Sequence, residues 1–514
     1  MLDSPNKEAA PKATRRDWIG LAVIAIPCLI YSMDLTVLYL AVPEIVADLK
    51  PSAAGLLWIV DIYGFMVAGA LVTMGTLGDR IGRRKVLLIG AAAFAVTSVL
   101  AAYAPSAEML VAARALQGLA AATLAPSTLS LLRNMFLDPD ERAFAIGIWV
   151  AGFSAGAAIG PVFGGLILAH FWWGAVFLIN VPVMVMLLVI GPLVLPEFRD
   201  PDAGRLDIKS AALSVMSVLS IIYGIKHSAE IGWSWLALAA IVAGIAVGYV
   251  FFRREARLED PLIDVRLFAA PAFSAALATN VVGLFMMLGT FLFITQYLQL
   301  VLGMSPLDAG LWMAPSGITF ALGSMAAPLL VRHFHPATVI ACGMLLAAAG
   351  FGLLTQIAGS NSPWLLFAGM MAFCTGMSPL GAITTDLVMG SAPPERAGAA
   401  SAISETSFEF GGALGIAVLG SLFTYIYGRS MDRTDLSSLS PELAKIARDT
   451  LGGAVEVAHG LPADTAASLL TTARASFVYA FEVTSAVAAL GALAAAPVAL
   501  IALRNAGRSR SLAH

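Results

Sequence analysis

Fourteen stretches of this chain are both apolar and long enough to cross a lipid bilayer as helices, and no other feature limits the fold as tightly. They cover 18–42, 56–77, 86–104, 109–132, 143–169, 175–195, 211–226, 233–252, 274–301, 311–330, 338–357, 364–388, 398–427 and 476–503, numbered in order as spans 1 to 14. A helix rises ~1.5 Å per residue, so about 20 residues are needed to cross a hydrocarbon core of roughly 30 Å. With no water inside the core, each backbone N–H and C=O must be satisfied within the segment, and helices do that. The expected fold class is all-α, a polytopic membrane protein. Only 12% of the 514 residues are charged and 59% are hydrophobic, whereas soluble domains carry about 25% charged residues. A soluble bundle of this length would need a polar surface that these stretches lack.

An even number of spans puts both termini on one side of the membrane. Of the 30 Lys and Arg residues, 22 lie at the termini or in loops leading from an even to an odd span, seven lie in the opposite loops, and Arg114 lies inside span 4. Among those seven, Lys50 and Lys226 fall in short loops and the rest in the long segment after span 13. Cations accumulate on the cytoplasmic side, so both termini are expected there. The polar segment 1–17 reads as a cytoplasmic tail without a signal peptide, because the first apolar run is long enough to remain as a span.

The formal net charge of -3 is too small to imply nucleic acid. Cys28, Cys342 and Cys374 all fall in spans and are odd in number, giving neither a disulfide framework nor a zinc spacing. They read as small buried hydrophobes, and no metal site is expected. The chain has no Gly-x-x-x-x-Gly-Lys-Ser/Thr phosphate loop, no His-Glu-x-x-His and no Gly-x-Ser-x-Gly, so it does not read as an enzyme.

Polar linkers at 197–209 and 253–268 set off spans 7 and 8, which gives six plus two plus six helices. The resulting division is a tail 1–17, an N-terminal six-helix bundle 18–196, linkers with two inserted helices 197–268, a C-terminal six-helix bundle 269–503 and a tail 504–514. Within 429–475, the stretches 441–459 and 463–475 read as two short helices of an external hairpin over the mouth, with a loosely ordered loop as the alternative.

Charged residues inside spans are expensive, and an acid there is a functional candidate. Asp34 lies about 24 Å from the cytoplasmic start of span 1, and Arg114 about 8 Å from the outer start of span 4, so the two share a level. Asp61, in the outer half of span 2, falls near the same level. Glu405 and Glu409 are four apart on one face of span 13, about 10 and 17 Å deep. Two like charges this close in an apolar medium do not both ionise readily. The deeper Glu409 is the stronger candidate, against a polar patch paired with Thr406 or Ser407.

Tyr31 and Trp58 each precede an acid by three residues and so lie on its face. Aromatic walls beside desolvated carboxylates suit lipophilic cations. Met286, Met287, Phe291 and Phe293 of span 9 supply a further adaptable apolar wall. Asp386, before Pro393-Pro394-Glu395-Arg396, reads as a surface pair or cap, and Glu482 as a residue reaching the headgroups. Gly152, Gly156, Gly160 and Gly164 make a four-residue repeat along span 5 that lets a neighbouring helix approach closely.

Four local motifs then resemble one family. The charged loop Gly75-Thr76-Leu77-Gly78-Asp79-Arg80-Ile81-Gly82-Arg83-Arg84-Lys85 after span 2 is similar to the conserved loop of the major facilitator superfamily. Asp34-Leu35-Thr36-Val37-Leu38-Tyr39-Leu40-Ala41-Val42-Pro43 resembles the signature of its drug antiporters, and Arg114-Ala115-Leu116-Gln117-Gly118 the motif whose arginine is linked to proton transfer. Gly156, Gly160, Pro161, Gly164 and Gly165 resemble the antiporter motif Gly-x-x-x-Gly-Pro-x-x-Gly-Gly. Over nearly its whole length the chain resembles the fourteen-helix drug:proton antiporters of the QacA, LfrA and SmvA type. Unlike QacA it has no acid between Leu311 and Leu330.

The resemblance implies the major facilitator fold, in the inner membrane of a bacterium. It implies a monomer that exports cationic amphiphiles such as quaternary ammonium compounds, dyes and biguanide antiseptics. The only other partners are protons and the lipid bilayer, and no cofactor is needed beyond a proton gradient. Asp34, Asp61, Arg114, Glu405 and Glu409 would couple protons, and Asp34, Asp61, Glu409, Tyr31 and Trp58 would bind substrate. Gly75, Asp79, Arg80, Gly82, Arg83 and Arg84 would form a latch, with Asp79 and Arg80 capping and pairing with neighbouring helix ends. A native metabolite or antibiotic as cargo, or a non-transporting receptor, are the rival readings.

Overall fold

The computed structural model describes residues 11–199, 207–232, 234–258, 261–359, 363–391, 397–433 and 439–504. The outer parts of both tails, part of the first linker, Pro393-Pro394-Glu395-Arg396 and residues 434–438 of the hairpin lie outside the described residues. Within them are 14 helices long and apolar enough to cross a membrane, and no strand. Spans 1 to 6 are Arg15–Leu49, Ala53–Ile81, Arg83–Ala102, Ala107–Met135, Pro139–Leu168 and Ala175–Val194. The inserted pair is Ile208–Ile231 and Trp235–Glu255. Spans 9 to 14 are Pro271–Val301, Pro306–His333, Pro336–Leu354, Pro363–Ser391, Ala397–Met431 and Ala463–Ala502.

The helix ends follow from residues placed where backbone groups would otherwise be unsatisfied. Ser52, Ser106, Ser234 and Ser305 each accept the N–H of the residue three positions on. Thr14 and Asp17 form a capping box at the start of span 1. Spans 9, 10 and 11 start on Pro271, Pro306 and Pro336, where the missing N–H loses nothing.

Four sequence expectations are corrected. Gly75 to Lys85 is not a loop: span 2 stays helical to Ile81, span 3 starts at Arg83, and the reversal is made at Gly82 with φ +115°. An added Cβ there would meet the Glu197 carboxylate, so glycine is required for conformation and for space. Lys226 is not in a loop but inside span 7, fully buried. The stretch 463–475 is not a separate helix but the start of span 14, and 441–459 is split into Pro441–Asp449 and Leu451–His459. Cys342 is exposed on the outer surface of the bundle, while Cys28 and Cys374 are buried as expected.

Span 5 packs lengthwise on span 1. Added Cβ atoms on Gly152 and Gly156 would strike the Ala25 and Leu29 carbonyls, and on Gly160 and Gly164 the Thr36 and Val37 side chains. Neighbouring positions on span 5 meet span 10 instead, with Gly310 against the Pro161 carbonyl and Gly317 against Ala158. Spans 2 and 13 meet where Gly64 would bring a Cβ 3.1 Å from Ala413 and where Gly420 abuts Leu57. Of these, the contacts between the two halves are span 5 on span 10 and span 2 on span 13, with Leu57 lying toward the face that bears the hairpin.

The hairpin helices pack there too. The Tyr427 hydroxyl donates to the Ala447 carbonyl at 3.0 Å, Lys50 pairs with Glu456 at 3.4 Å, and Gln299 donates to the Leu40 carbonyl at 3.1 Å. Span 7 sits over the seam between spans 2 and 13, with Ile222 packed against Phe65, Ala413 and Ala417.

Candidate functional site

Asp34 and Arg114 form the centre of the N-terminal half. The Arg114 guanidinium donates to Asp34 Oδ2 at 2.6 Å and to Gln117 Oε1 at 2.9 Å. Asn180 donates to Asp34 Oδ1 at 2.8 Å, and Gln117 to the Ser98 hydroxyl at 3.0 Å. Both charged side chains are essentially out of contact with solvent, at 0% and 2% exposure. The guanidinium lies 4.4 Å from the centroid of the Tyr63 ring, so its remaining charge faces a π-cloud. Sequence depth had placed Asp34 and Arg114 at one level, and the structure joins them.

Asp61 does not join that pair. On a helix, residues 61 and 63 are about 200° apart, so while Tyr63 covers Arg114, Asp61 faces the other way. Its Oδ1 accepts from Lys226 Nζ at 2.7 Å, with both side chains at most 1% exposed. The same ammonium lies 3.8 Å from the centroid of the Trp58 ring. Trp58 and Asp61 thus share a face as expected, but the cation they hold belongs to the chain itself.

Glu409 takes a third arrangement. It accepts from the Tyr31 hydroxyl at 2.7 Å, a hydrogen bond from span 1 of one half to span 13 of the other. The Tyr31 ring is braced by Tyr63 and Phe153, at centroid distances of 6.1 and 5.5 Å. The alternative pairing with Thr406 or Ser407 is not seen: Ser407 accepts from Asn280 and donates to the Ser404 carbonyl. Glu405 lies one turn away on the same side of span 13 and is half-buried. None of the three acids is turned outward to where lipid would lie.

Between the halves lies an apolar cavity of about 150 Å³ lined by Thr36, Tyr39, Met287, Phe291, Phe320 and Phe408 among others, with none of these acids in its lining. Of the four span 9 residues proposed as an adaptable wall, Met287 and Phe291 face it. Met286 and Phe293 are buried elsewhere, Phe293 stacked on Phe423 at 3.8 Å. Pro161 also lines the cavity, so the one proline inside span 5, where a backbone N–H is missing, is at its wall.

At the opposite face, Asp79 pairs with Arg83, the first residue of span 3, which is the expected pairing with a neighbouring helix end. Arg83 also donates to the Pro126 carbonyl at 3.4 Å, and Arg84 to the Leu195 carbonyl at 2.9 Å, fastening the end of span 6. Arg80 is exposed. Gly75 and Gly78 are packing positions, against Pro126 and the Arg83 side chain. Glu482 accepts from the Ala358 N–H at 2.8 Å and so holds the turn between spans 11 and 12, while Asp386 lies near the far end of span 12.

Sequence reasoning missed Lys226, Asn180, Ser98 and Tyr63. Asn180 carried a signal, as the lone amide in an otherwise apolar span. Lys226 carried one too, because a lysine flanked by Ile225 and by a helical run to Ile231 lies within reach of burial.

The model of the Major Facilitator Superfamily matches residues 24–416. The multidrug efflux pump LfrA of Mycolicibacterium smegmatis is 43% identical over 501 residues, 97% of this chain and 99% of that protein. The methyl viologen resistance protein SmvA of Salmonella typhimurium is 33% identical over 471 residues, 91% and 94% of the two chains. The tetracenomycin C resistance and export protein of Streptomyces glaucescens is 34% identical over 497 residues, 94% and 91%. Among solved structures, an inward-facing bacterial homologue of the human lysosomal transporter Spinster superposes with a TM-score of 0.67 at 18% identity, over 96% of this chain and 98% of that one, a likeness of fold alone. With fourteen spans, buried acids between two helical halves and relatives of this kind along its whole length, the chain belongs to the Major Facilitator Superfamily, as a membrane transporter of its multidrug efflux branch and not an enzyme.

Proposed function

We propose that the protein is a proton-coupled antiporter that exports lipophilic cations across the inner membrane of a bacterium, working as a monomer with both termini and Arg80 on the cytoplasmic side. The reading is carried by three intramembrane acids, Asp34 at the centre of the N-terminal half, and Asp61 and Glu409 where spans 1 and 2 meet span 13. With the hairpin face taken as external, the close contacts of span 2 with span 13 and of span 5 with span 10 hold the halves together toward the outer mouth, and cargo reaches the cavity beside Phe408 from the opposite, inner face. A cation entering there exchanges with a proton on an acid. The external-open state then releases the cation and rebinds a proton. Because one carboxylate cannot hold both, occupancy alternates, and that alternation is the exchange. Each net charge moved adds ~2.3 kcal/mol per 100 mV of membrane potential.

Quaternary ammonium compounds, dyes and biguanides are the proposed cargo, in line with methyl viologen, an organic dication named for one relative. A second reading has support from the relative named for tetracenomycin C: a natural antibiotic or metabolite as cargo of the same fold.

The test is ethidium export from proteoliposomes holding the purified full chain. Export is expected with an imposed pH difference, to cease with a protonophore, and to fall in the Asp34→Asn and Asp61→Asn variants. Undiminished export without any proton gradient or voltage overturns the reading.

A further inference from the structure

The Lys226 ammonium is a primary cation on an apolar stem, sealed into a seat made of one carboxylate and one indole. Burying such a charge costs several kcal/mol unless its partners are good, and a leucine would fill span 7 at no such cost. Two features say more than an ion pair is present. Asp61 uses only one oxygen on the lysine, and its Oδ2 is buried without a hydrogen-bond partner among the described residues. The seat also lies at the seam of spans 2 and 13, while its cation comes from span 7, one of the inserted pair between the two halves.

Carboxylate, indole face and the apolar shell of Phe65, Phe410 and Leu414 are what a lipophilic monocation requires. We propose that Lys226 is an internal stand-in for the exported cation, and that substrate takes the Asp61–Trp58 seat by displacing its ammonium. This rests on the reading of the protein as an exporter of cations and names one place where they bind. The displaced lysine has somewhere to go. It stands five residues before Ile231, the end of span 7, so its head is about 7.5 Å from the hairpin face along the axis. A lysine stem reaches about that far by snorkelling, and the ammonium regains water without losing its proton. Charge then balances: one cation leaves the carboxylate as another arrives.

The experiment measures binding of tetraphenylphosphonium to the purified full chain in nanodiscs at alkaline pH, where protons compete least for Asp61. A competitor on a short tether acts at millimolar effective concentration, so Lys226→Met is expected to bind the probe about tenfold tighter or more. Adding Asp61→Asn to that variant is expected to abolish the gain. Lys226→Met binding no tighter than wild type overturns the proposal, as does a gain that survives Asp61→Asn.

Should Lys226→Met fail to fold, the wild-type chain still gives an answer. Saturating probe is expected to raise labelling of Lys226 by a water-soluble amine reagent several-fold, read by mass spectrometry, and unchanged labelling overturns the idea. Proton-driven ethidium export by wild type is scored separately. If export occurs while probe binding ignores Lys226, only this proposal falls; if wild type exports nothing under a gradient, the functional reading itself falls.

Discussion

Replacing Asp34 by Asn is the perturbation whose size the geometry sets most closely. The change keeps the shape and an acceptor oxygen, but removes the negative charge 2.6 Å from Arg114. Breaking a buried pair by removing one partner costs about 3–5 kcal/mol, because the other charge is left uncompensated. Arg114 then keeps Gln117 as an acceptor and the Tyr63 ring 4.4 Å away, a cation–π contact worth at most ~2 kcal/mol. The net expectation for Asp34→Asn is a loss of about 3 kcal/mol.

Arg114→Met is not the mirror image. A carboxyl left alone can take up a proton and stay hydrogen-bonded to Asn180 at 2.8 Å, whereas a guanidinium cannot shed its charge. Arg114→Met is therefore expected to cost about 1–2 kcal/mol less than Asp34→Asn. The double variant, which buries no net charge, is expected to recover to within ~1 kcal/mol of the milder single one. Unfolding of the purified variants in mixed detergent micelles reads all three, and ethidium export reads function, expected to be lost in each. Equal costs for the two single variants, or a double variant at their sum, refutes the reasoning that charge and not shape holds this centre together.

Five further outcomes follow from helix and hairpin contacts. Gly156→Ala brings a methyl onto the Leu29 carbonyl, which is backbone and cannot step aside; a loss of about 1–3 kcal/mol and of export is expected. Gly147→Ala on the same helix meets nothing within 4 Å and is expected to be neutral or stabilising by at most ~1 kcal/mol, both read by thermal unfolding. Tyr31→Phe keeps the ring packing but removes the donor to Glu409 at 2.7 Å; a loss of about 1.5–3 kcal/mol in stability and slower proton-driven export are expected. At the hairpin, Lys50→Ala is expected to change stability by less than ~1 kcal/mol, because both partners of that bridge are partly exposed. Gly452→Leu, whose Cβ would lie 2.8 Å from Val46, is expected to lift the hairpin off span 1 and slow export.

The number and order of the spans were legible because hydropathy is additive along a helix and the bilayer sets a length threshold. Asp34, Arg114 and the glycine strip were legible because helical rise and a four-residue period convert sequence separation into depth and face. Lys226 was not. A charge lowers a hydropathy window, so span 7 was ended at the residue that matters most to it, and its partner Asp61 is 165 positions away. The turn after span 2 was misread for a different reason. Gly75 and Gly78 fall in a run that reads as a loop, but they are flat surfaces for Pro126 and Arg83, and only Gly82 has the positive φ that a reversal needs.

The way the buried charges pair off orders the proposed exchange. Asp34 has Arg114 and Asp61 has Lys226, so each of these acids sits within a locally neutral pair in this conformation. Glu409 has a tyrosine hydroxyl and, one turn away, another glutamate. No ion pair among the described residues supplies it with a cation. In an apolar surrounding, a carboxylate without a cation has to be neutralised by a proton or by a positively charged guest. In the proposed exchange the Glu405–Glu409 step therefore comes first in this conformation, and Asp34 becomes available when the helix carrying Arg114 moves and Asp61 when the Lys226 ammonium is displaced. Tyr31 is placed to link the two events, since it bonds Glu409 from a point one turn before Asp34 on the same helix. In the proposed exchange, proton or cargo arriving at Glu409 loosens that bond, and with it the tie between spans 1 and 13 across which the halves must part.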